Sequence, residues 1–324
     1  MMQAKSDPMQ RLYRITLLGC GLGAGLLGAM PARALPSSYS QTSVSGIGML
    51  SGDTASQAYG INASGQVVGI SRGTTGTHGV LWSAGSGLQS LGGLPGGGGV
   101  SGGNGINASG QAVGNAPNST GYTQSYLWNG SSMQTLPTLG GAQAGYAKAI
   151  DNAGNVVGTS PISGPRQGYL WLPAGGGLSF SLGTLSGGSF SMANAISPTG
   201  GLIAGSADTA LGATHAVLWT APNAGGMQDL GTLPGGTNSY GMAVNASGAV
   251  GGSSTVTGGA THAFFWNGGA MQDLGTLAGY ANSGVYGMNS QGWAVGVVDN
   301  AAISTTGSGM SSTTGRAALW LDNT

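Results

Sequence analysis

The chain has 324 residues and contains no glutamate. Charged residues of all kinds make up 5% of it, against roughly 25% in an ordinary domain. After residue 34 the only basic side chains are Arg72, Lys148, Arg166 and Arg316, facing seven aspartates. Nucleic acids and anionic membrane surfaces are held by clustered Lys and Arg, so neither is expected as a partner. Cysteine occurs once, at Cys20, which rules out a disulfide framework and leaves rigidity to packing. The longest apolar run, Ile15–Met30, has 16 residues and is rich in glycine. A membrane-spanning helix needs about 20.

That run belongs to a secretory signal. Lys5, Arg11 and Arg14 form its basic region, Ile15–Met30 its apolar core, and Ala32-Arg33-Ala34 an A-x-A cleavage site. Residues 1–34 are therefore read as a signal peptide, with Leu35 as the mature start. Leu17-Leu-Gly-Cys20 resembles a lipoprotein box, but Cys20 sits early in the apolar core, and removing the signal removes the only thiol. Residues 35–43 form a polar leader. The expected location is outside the cytoplasm: periplasmic, extracellular or secreted, with no membrane span in the mature chain.

What is abundant is glycine, at 68 residues, beside 12 prolines. Unpatterned, such a composition borders on disorder, but the chain is patterned. Tryptophan recurs at Trp82, Trp128, Trp171, Trp219, Trp266 and Trp320, with spacings of 46, 43, 48, 47 and 54 residues. Each is preceded by a turn: Asn62-Ala-Ser-Gly65, Asn107-Ala-Ser-Gly110, Asp151-Asn-Ala-Gly154, Ser197-Pro-Thr-Gly200, Asn245-Ala-Ser-Gly248 and Asn289-Ser-Gln-Gly292. A leucine-rich piece, such as Leu230 to Leu233, completes each copy. Self-similarity at this period is the mark of a repeat architecture.

One copy divides into four short apolar runs, 239–245, 249–254, 260–266 and 271–277, separated by Gly, Asn and Ser. Runs of this length with such boundaries read as strands. The links fit a type I turn followed by a left-handed glycine. Met227 and Leu230 are three apart, which breaks alternation and predicts a bulge in the fourth strand. Four antiparallel strands per period of about 47 residues is the propeller-blade pattern. Residues 44–324 are thus predicted to form an all-β, six-bladed propeller. The repeats begin at Val44–Leu50, which matches a fourth strand, and end at 316–321, which matches a third. The N-terminal strand is therefore expected to complete the last blade and hide both edges.

Thr214-His-Ala-Val-Leu-Trp219 and Thr261-His-Ala-Phe-Phe-Trp266, with Met-Gln-Asp-Leu-Gly-Thr-Leu downstream and then Asn-Ala-Ser-Gly, resemble the bacterial HAF repeat family of probable extracellular repeat proteins. The resemblance covers residues 44–324. It departs at Gln124, Gln167 and Arg316, which stand at the His position, and at Leu178-Ser-Phe-Ser-Leu182. It implies export and a repeat fold, and it carries over no catalytic residue.

The chemistry-bearing residues have ordinary structural readings. His78, His215 and His262 occupy one repeat position on the third strand. With strands about 4.8 Å apart, equivalent points in neighbouring blades lie roughly 15 Å apart. Zinc holds its ligands at about 2 Å, so the three are read as structural, and no metal or other cofactor is expected. The six repeat tryptophans are core, and Asn62, Asn107 and Asn245 are turn residues despite matching the Asn-x-Ser sugar-acceptor pattern. Asp229 and Asp273 are expected to bond turn backbone. Gly99-Val-Ser101-Gly-Gly103 fits G-x-S-x-G, but Ser101 is a repeat serine equivalent to Ser56, Ser191, Ser239 and Ser283, with no elbow around it. Trp293, Tyr280 and Tyr286 fall outside the repeat positions and are candidates for a ligand-stacking surface near the last blade. The function expected from all this is a monomeric, non-catalytic extracellular or surface binding module for a glycan or a protein. A glycoside-active propeller enzyme and a surface spacer are the alternatives.

Overall fold

The computed structural model describes residues 46–161, 165–220, 226–303, 305 and 315–320. The signal segment, the polar leader, Val44 and most of the expected loop over 301–315 lie outside the described residues. Among the described residues every strand pair is antiparallel, and the strands fall into six separate sheets.

Each sheet is one copy of the repeat. The first holds β1 Asp53–Ile61, β2 Val67–Gly73, β3 Gly76–Ser83 and β4 Gly87–Gly92, and the second β5 Gly102–Ile106, β6 Ala112–Pro117, β7 Thr123–Trp128 and β8 Met133–Thr135. The third holds β9 Tyr146–Ile150, β10 Val156–Pro161, β11 Arg166–Leu172 and β12 Leu178–Ser181, and the fourth β13 Ser191–Ile196, β14 Leu202–Asp208, β15 Thr214–Thr220 and β16 Gly226–Asp229. The fifth holds β17 Ser239–Val244, β18 Val250–Thr255, β19 Thr261–Trp266 and β20 Gln272–Gly275, and the last β21 Asn282–Met288, β22 Ala294–Asp299 and β23 Arg316–Trp320. Within each sheet the strands are paired in chain order, the first innermost. The chain is a six-bladed β-propeller, as the repeat predicts.

The turns form as their residues dictate. Asn107 N–H donates to the Gln111 carbonyl and Gly110 N–H to the Asn107 carbonyl, 3.0 and 3.1 Å. The last turn residue is left-handed in all six copies, at φ between 73° and 88° for Gly65, Gly110, Gly154, Gly200, Gly248 and Gly292. Only glycine takes that conformation freely. Asn107 also reaches sideways, its Nδ2 donating 3.0 Å to the Asp151 carbonyl of the next blade. Asn62 and Asn245 do the same to Asn107 and Asn289. Asn107 and Asn245 are each 3% exposed, so they are held by the fold and closed to sugar attachment.

The core is divided between neighbouring blades. Val113 and Leu127 of the second meet Ala147, Tyr169 and Trp171 of the third. Ile203, Val217 and Trp219 of the fourth meet Val157 and Leu170 of the third. Equivalent clusters join blades one and two, four and five, and five and six. Burying a side chain such as Val217 contributes about 1.5–3 kcal/mol, so each junction is a substantial apolar core. Of the repeat tryptophans, Trp128, Trp171, Trp219 and Trp266 are buried, while Trp82 and Trp320 are partly so.

The junction between blades six and one differs. Leu81, Leu127, Leu170, Leu218 and Phe265 share one position of the third strand and are at most 7% exposed, while Leu319, their counterpart in the last blade, is 46% exposed. Val295 is 50% exposed where Val68, Val113, Val157 and Ala204 are fully buried. The last sheet has three strands among the described residues. Residues 46–50 of the expected closing strand carry no strand assignment, and 44 and 45 lie outside the described residues. Leu50 does dock as its repeat equivalents do: its N–H donates 3.0 Å to Ser71 Oγ, as Leu139 and Leu233 donate to Ser160 and Ser254.

Candidate functional site

The innermost strands carry an irregularity at one and the same place. In β1 the pairing steps from Ala58–Gly69 to Gly60–Val68, leaving Tyr59 unpaired. The same step leaves out Asn104 in β5, Lys148 in β9, Asn194 in β13, Met242 in β17 and Tyr286 in β21. A bulge inserts one extra residue and re-aims its side chain. Here all six extra residues line a single central cavity of about 600 Å³, to which each blade's innermost strand contributes.

The second strand of each blade explains why the bulge forms. It carries a glycine opposite the inner strand at Gly69, Gly114, Gly158, Gly205, Gly252 and Gly296. A Cβ there would stand between 1.8 and 2.1 Å from the carbonyl oxygen two residues before the bulge. Such a gap admits only a hydrogen. The six glycines therefore let the inner strand tip inward, and the tipping turns the extra residue toward the axis.

The ring reads Tyr59, Asn104, Lys148, Asn194, Met242 and Tyr286 around the axis. Asn104 Nδ2 donates 2.7 Å to the Ala147 carbonyl of the next blade, and Asn194 Nδ2 donates 2.9 Å to the Gly241 carbonyl. Asn194 Oδ1 is buried and has no hydrogen-bond partner among the described residues. Tyr59 donates 2.8 Å from its hydroxyl to Gln57 Oε1. Burial holds the Lys148 ammonium below the usual lysine range, because a charged amine loses hydration in the channel wall. The remaining wall is mostly small or apolar: Gly60, Gly105, Ala149, Ala195, Ala243 and Gly287 flank the ring.

Of the three residues expected to form a stacking surface, Tyr286 is in the channel. Tyr280 and Trp293 are not with it. Trp293 closes the turn after β21, its backbone N–H donating 3.0 Å to Asn289 Oδ1. Tyr280 precedes β21, and its hydroxyl accepts from Arg316 Nε. The seven-residue strand between them spans roughly 23 Å at 3.3 Å per residue. The three therefore make no shared surface: the expectation failed because nearness in sequence was read as nearness in space along a strand that separates its ends.

The histidines turn out to be paired with aspartates. His215 Nδ1 lies 2.9 Å from Asp229 and His262 Nδ1 2.8 Å from Asp273, each across one strand pair in its own blade. Asp229 and Asp273 also accept the N–H of Gly231 and Gly275 at 2.8 and 2.7 Å, the turn bond expected of them. In the first blade Ser90 replaces that aspartate, and His78 lies 3.4 Å from Asp53 instead. In the third, Ser181 donates 2.6 Å to Gln167, the residue at the His position. The pairing thus connects two of the sequence motifs within one blade.

Ser239 is a staple between blades. Its Oγ accepts the Ala216 N–H at 2.7 Å and donates to the Gly231 carbonyl, both in the preceding blade. Ser101, Ser191 and Ser283 bond in the same way. These hydroxyls are committed to buried backbone groups. Two buried tyrosines, Tyr126 and Tyr169, have their phenols pushed well above the usual value by burial. Tyr169 crosses to Ser125 Oγ of the neighbouring blade at 2.8 Å.

A scan against protein-family models found no match, and a search of curated proteins found none. Solved structures of similar shape are propellers. The β-propeller domain of the Trilobed protease from Pyrococcus furiosus, described as revealing an open velcro topology, aligns with a TM-score of 0.53 at 7% identity over 83% of this chain and 82% of that one. A putative TolB from Agrobacterium tumefaciens aligns with a TM-score of 0.51 at 12% identity over 69% of this chain and 81% of that one. TolB from Acinetobacter baumannii aligns with a TM-score of 0.47 at 15% identity over 66% of this chain, which spans 52% of that protein's length. The likeness to the first two is one of fold alone: the chain shares their propeller architecture.

Proposed function

We propose that this chain is an exported, non-catalytic binding module, acting as a monomer, whose glycan or protein ligand sits in the central channel. The observation that carries the reading is the ring of six bulged residues. Five hydrogen-bonding side chains and one thioether line one cavity, while the residues on either side of each in its strand are Gly, Ala or Val. A cavity of about 600 Å³ falls within the 300–1,000 Å³ common for small-ligand sites. The resemblance to extracellular repeat proteins and the secretory signal read in residues 1–34 support export. Among the described residues no helix is long and apolar enough to cross a membrane.

The enzyme reading draws on one feature, Lys148, since an amine held below its usual range in a cleft is a trait of catalytic lysines. Hydrolysis of a glycoside ordinarily uses two carboxyls, and the residues lining the channel supply none. Binding is therefore the reading adopted. The test is a glycan and peptide array probed with the purified protein and with Tyr286→Ala. Ligands should be retained by the parent and lost or weakened in the variant. Retention indifferent to Tyr286, or none at high micromolar protein, would defeat the proposal.

A further inference from the structure

The channel ring is lopsided. Asn104, Lys148 and Asn194 come from consecutive blades two, three and four and form an arc of two amides and one ammonium. Met242, Tyr286 and Tyr59 come from blades five, six and one and form an arc of a thioether and two phenol rings. We infer that the channel takes an acidic saccharide, with its carboxylate toward Lys148 and a pyranose face toward the tyrosines. This rests on the channel being the ligand site.

Three observations favour that class. Lys148 is the one cationic side chain among the residues lining the channel, so an anionic group gains a charge-assisted hydrogen bond on that wall and no other. Asn194, next to it in the ring, has a buried Oδ1 with no hydrogen-bond partner among the described residues. Its Nδ2 donates to the Gly241 carbonyl and lies 3.5 Å from Met242 Sδ, so the oxygen calls for a donor. A sugar hydroxyl supplies one after a small turn of the amide, whereas a bare carboxylate cannot. The opposite arc supplies two phenol rings, and an aromatic ring suits the C–H face of a pyranose. A ligand with a carboxylate, hydroxyls and an apolar ring face satisfies all three, and uronic acid units have that make-up. A neutral sugar leaves Lys148 facing an uncharged group. A peptide C-terminus supplies the charge but not the hydroxyls.

The test uses the mature protein and titration calorimetry. The probes are a 4-linked uronate trisaccharide, its neutral methyl ester, and a peptide of matched size with a free C-terminus. The parent should bind the acid about ten- to a hundredfold tighter than the ester, the range of one hydrogen bond to a charged group. Lys148→Met should abolish that preference and keep the weak binding of the ester. Lys148→Arg should retain the preference, which separates loss of charge from loss of fold. Tyr286→Ala should weaken acid and ester by the same factor. Equal binding of acid and ester by the parent overturns the inference, as does a preference that survives Lys148→Met, or tighter binding of the peptide. If neutral glycans or peptides bind with dependence on Tyr286 while no acid preference appears, the channel remains the site and only the ligand class falls. If nothing binds, both fall.

Discussion

Replacing Gly158 by alanine tests the link between the glycine in the second strand and the channel residue beside it. An added Cβ would stand 2.1 Å from the Tyr146 carbonyl oxygen and 2.9 Å from Ala147 Cα. Both obstacles are backbone, so no side chain can swing away. Reaching an ordinary contact requires the inner strand to retreat by about 1 Å, which stretches the neighbouring ladder bonds beyond useful length. Losing two such bonds costs about 1–3 kcal/mol, and the accompanying strain in a packed interior adds about 1–3. Alanine returns about 0.4–1 kcal/mol by restricting the unfolded chain. The net expectation is a loss of about 2–4 kcal/mol, read as a lower urea midpoint with the slope unchanged. Gly85→Ala is the control. Nothing lies within 4 Å of a Cβ there and its φ is not left-handed, so the change should be neutral or slightly stabilising. If Gly158→Ala unfolds within about 0.5 kcal/mol of the parent, close to the scatter of ordinary surface substitutions, the glycines do not make room for the bulges.

Two further outcomes are expected. Leu319→Ala should cost under about 1 kcal/mol, because the side chain is half exposed, whereas Leu218→Ala, its buried counterpart, should cost about 2–4 kcal/mol; equal losses in urea unfolding would mean that the face of the last blade is covered, as the closing strand expected from the repeat requires. Lys148→Met should raise stability at neutral pH, and the gain should shrink as pH rises toward 10.5, the ordinary lysine value. The sign follows from the depressed value in the folded state: below it, both states hold the proton and folding buries a charge; above 10.5, neither does, and the penalty has gone. Urea midpoints of the two proteins measured from pH 7 to 10.5 check this, and a difference that stays constant would contradict it.

Much of the fold was legible. The strands expected over 239–245, 249–254 and 260–266 appear at Ser239–Val244, Val250–Thr255 and Thr261–Trp266, because Gly, Asn and Ser mark their limits. The bulge expected from Met227 and Leu230 is absent from their own strand, since β16 pairs regularly over Gly226–Asp229 and ends before Leu230, but the equivalent strands β20 and β4 have one, where Leu274 and Leu91 fall outside the pairing. The more consequential bulge, in the inner strand, was not legible from periodicity. In Ser239–Val244 both faces are packed, so no polar alternation exists for an extra residue to interrupt. A signal was nevertheless available: among copies whose flanking residues stay Gly, Ala or Val, one position runs through Tyr, Asn, Lys, Asn, Met and Tyr. The His–Asp pairs were hidden for a different reason. His215 and Asp229 are 14 residues apart, and only the hairpin register brings them together.

A residue that lies outside the ladder is free of the ladder's demands. At positions 59, 104, 148, 194, 242 and 286 a change of side chain shifts no neighbour to the wrong face, and what it removes from the junctions between blades is limited to the bonds of Asn104 and Asn194 and the packing of Met242. Duplicated modules can therefore diverge at these six places while each remains a sound building block. The axis then behaves as a six-letter word that can be respelled one letter at a time, and grafting a new word onto the same scaffold is the natural route to redirecting what the ring holds.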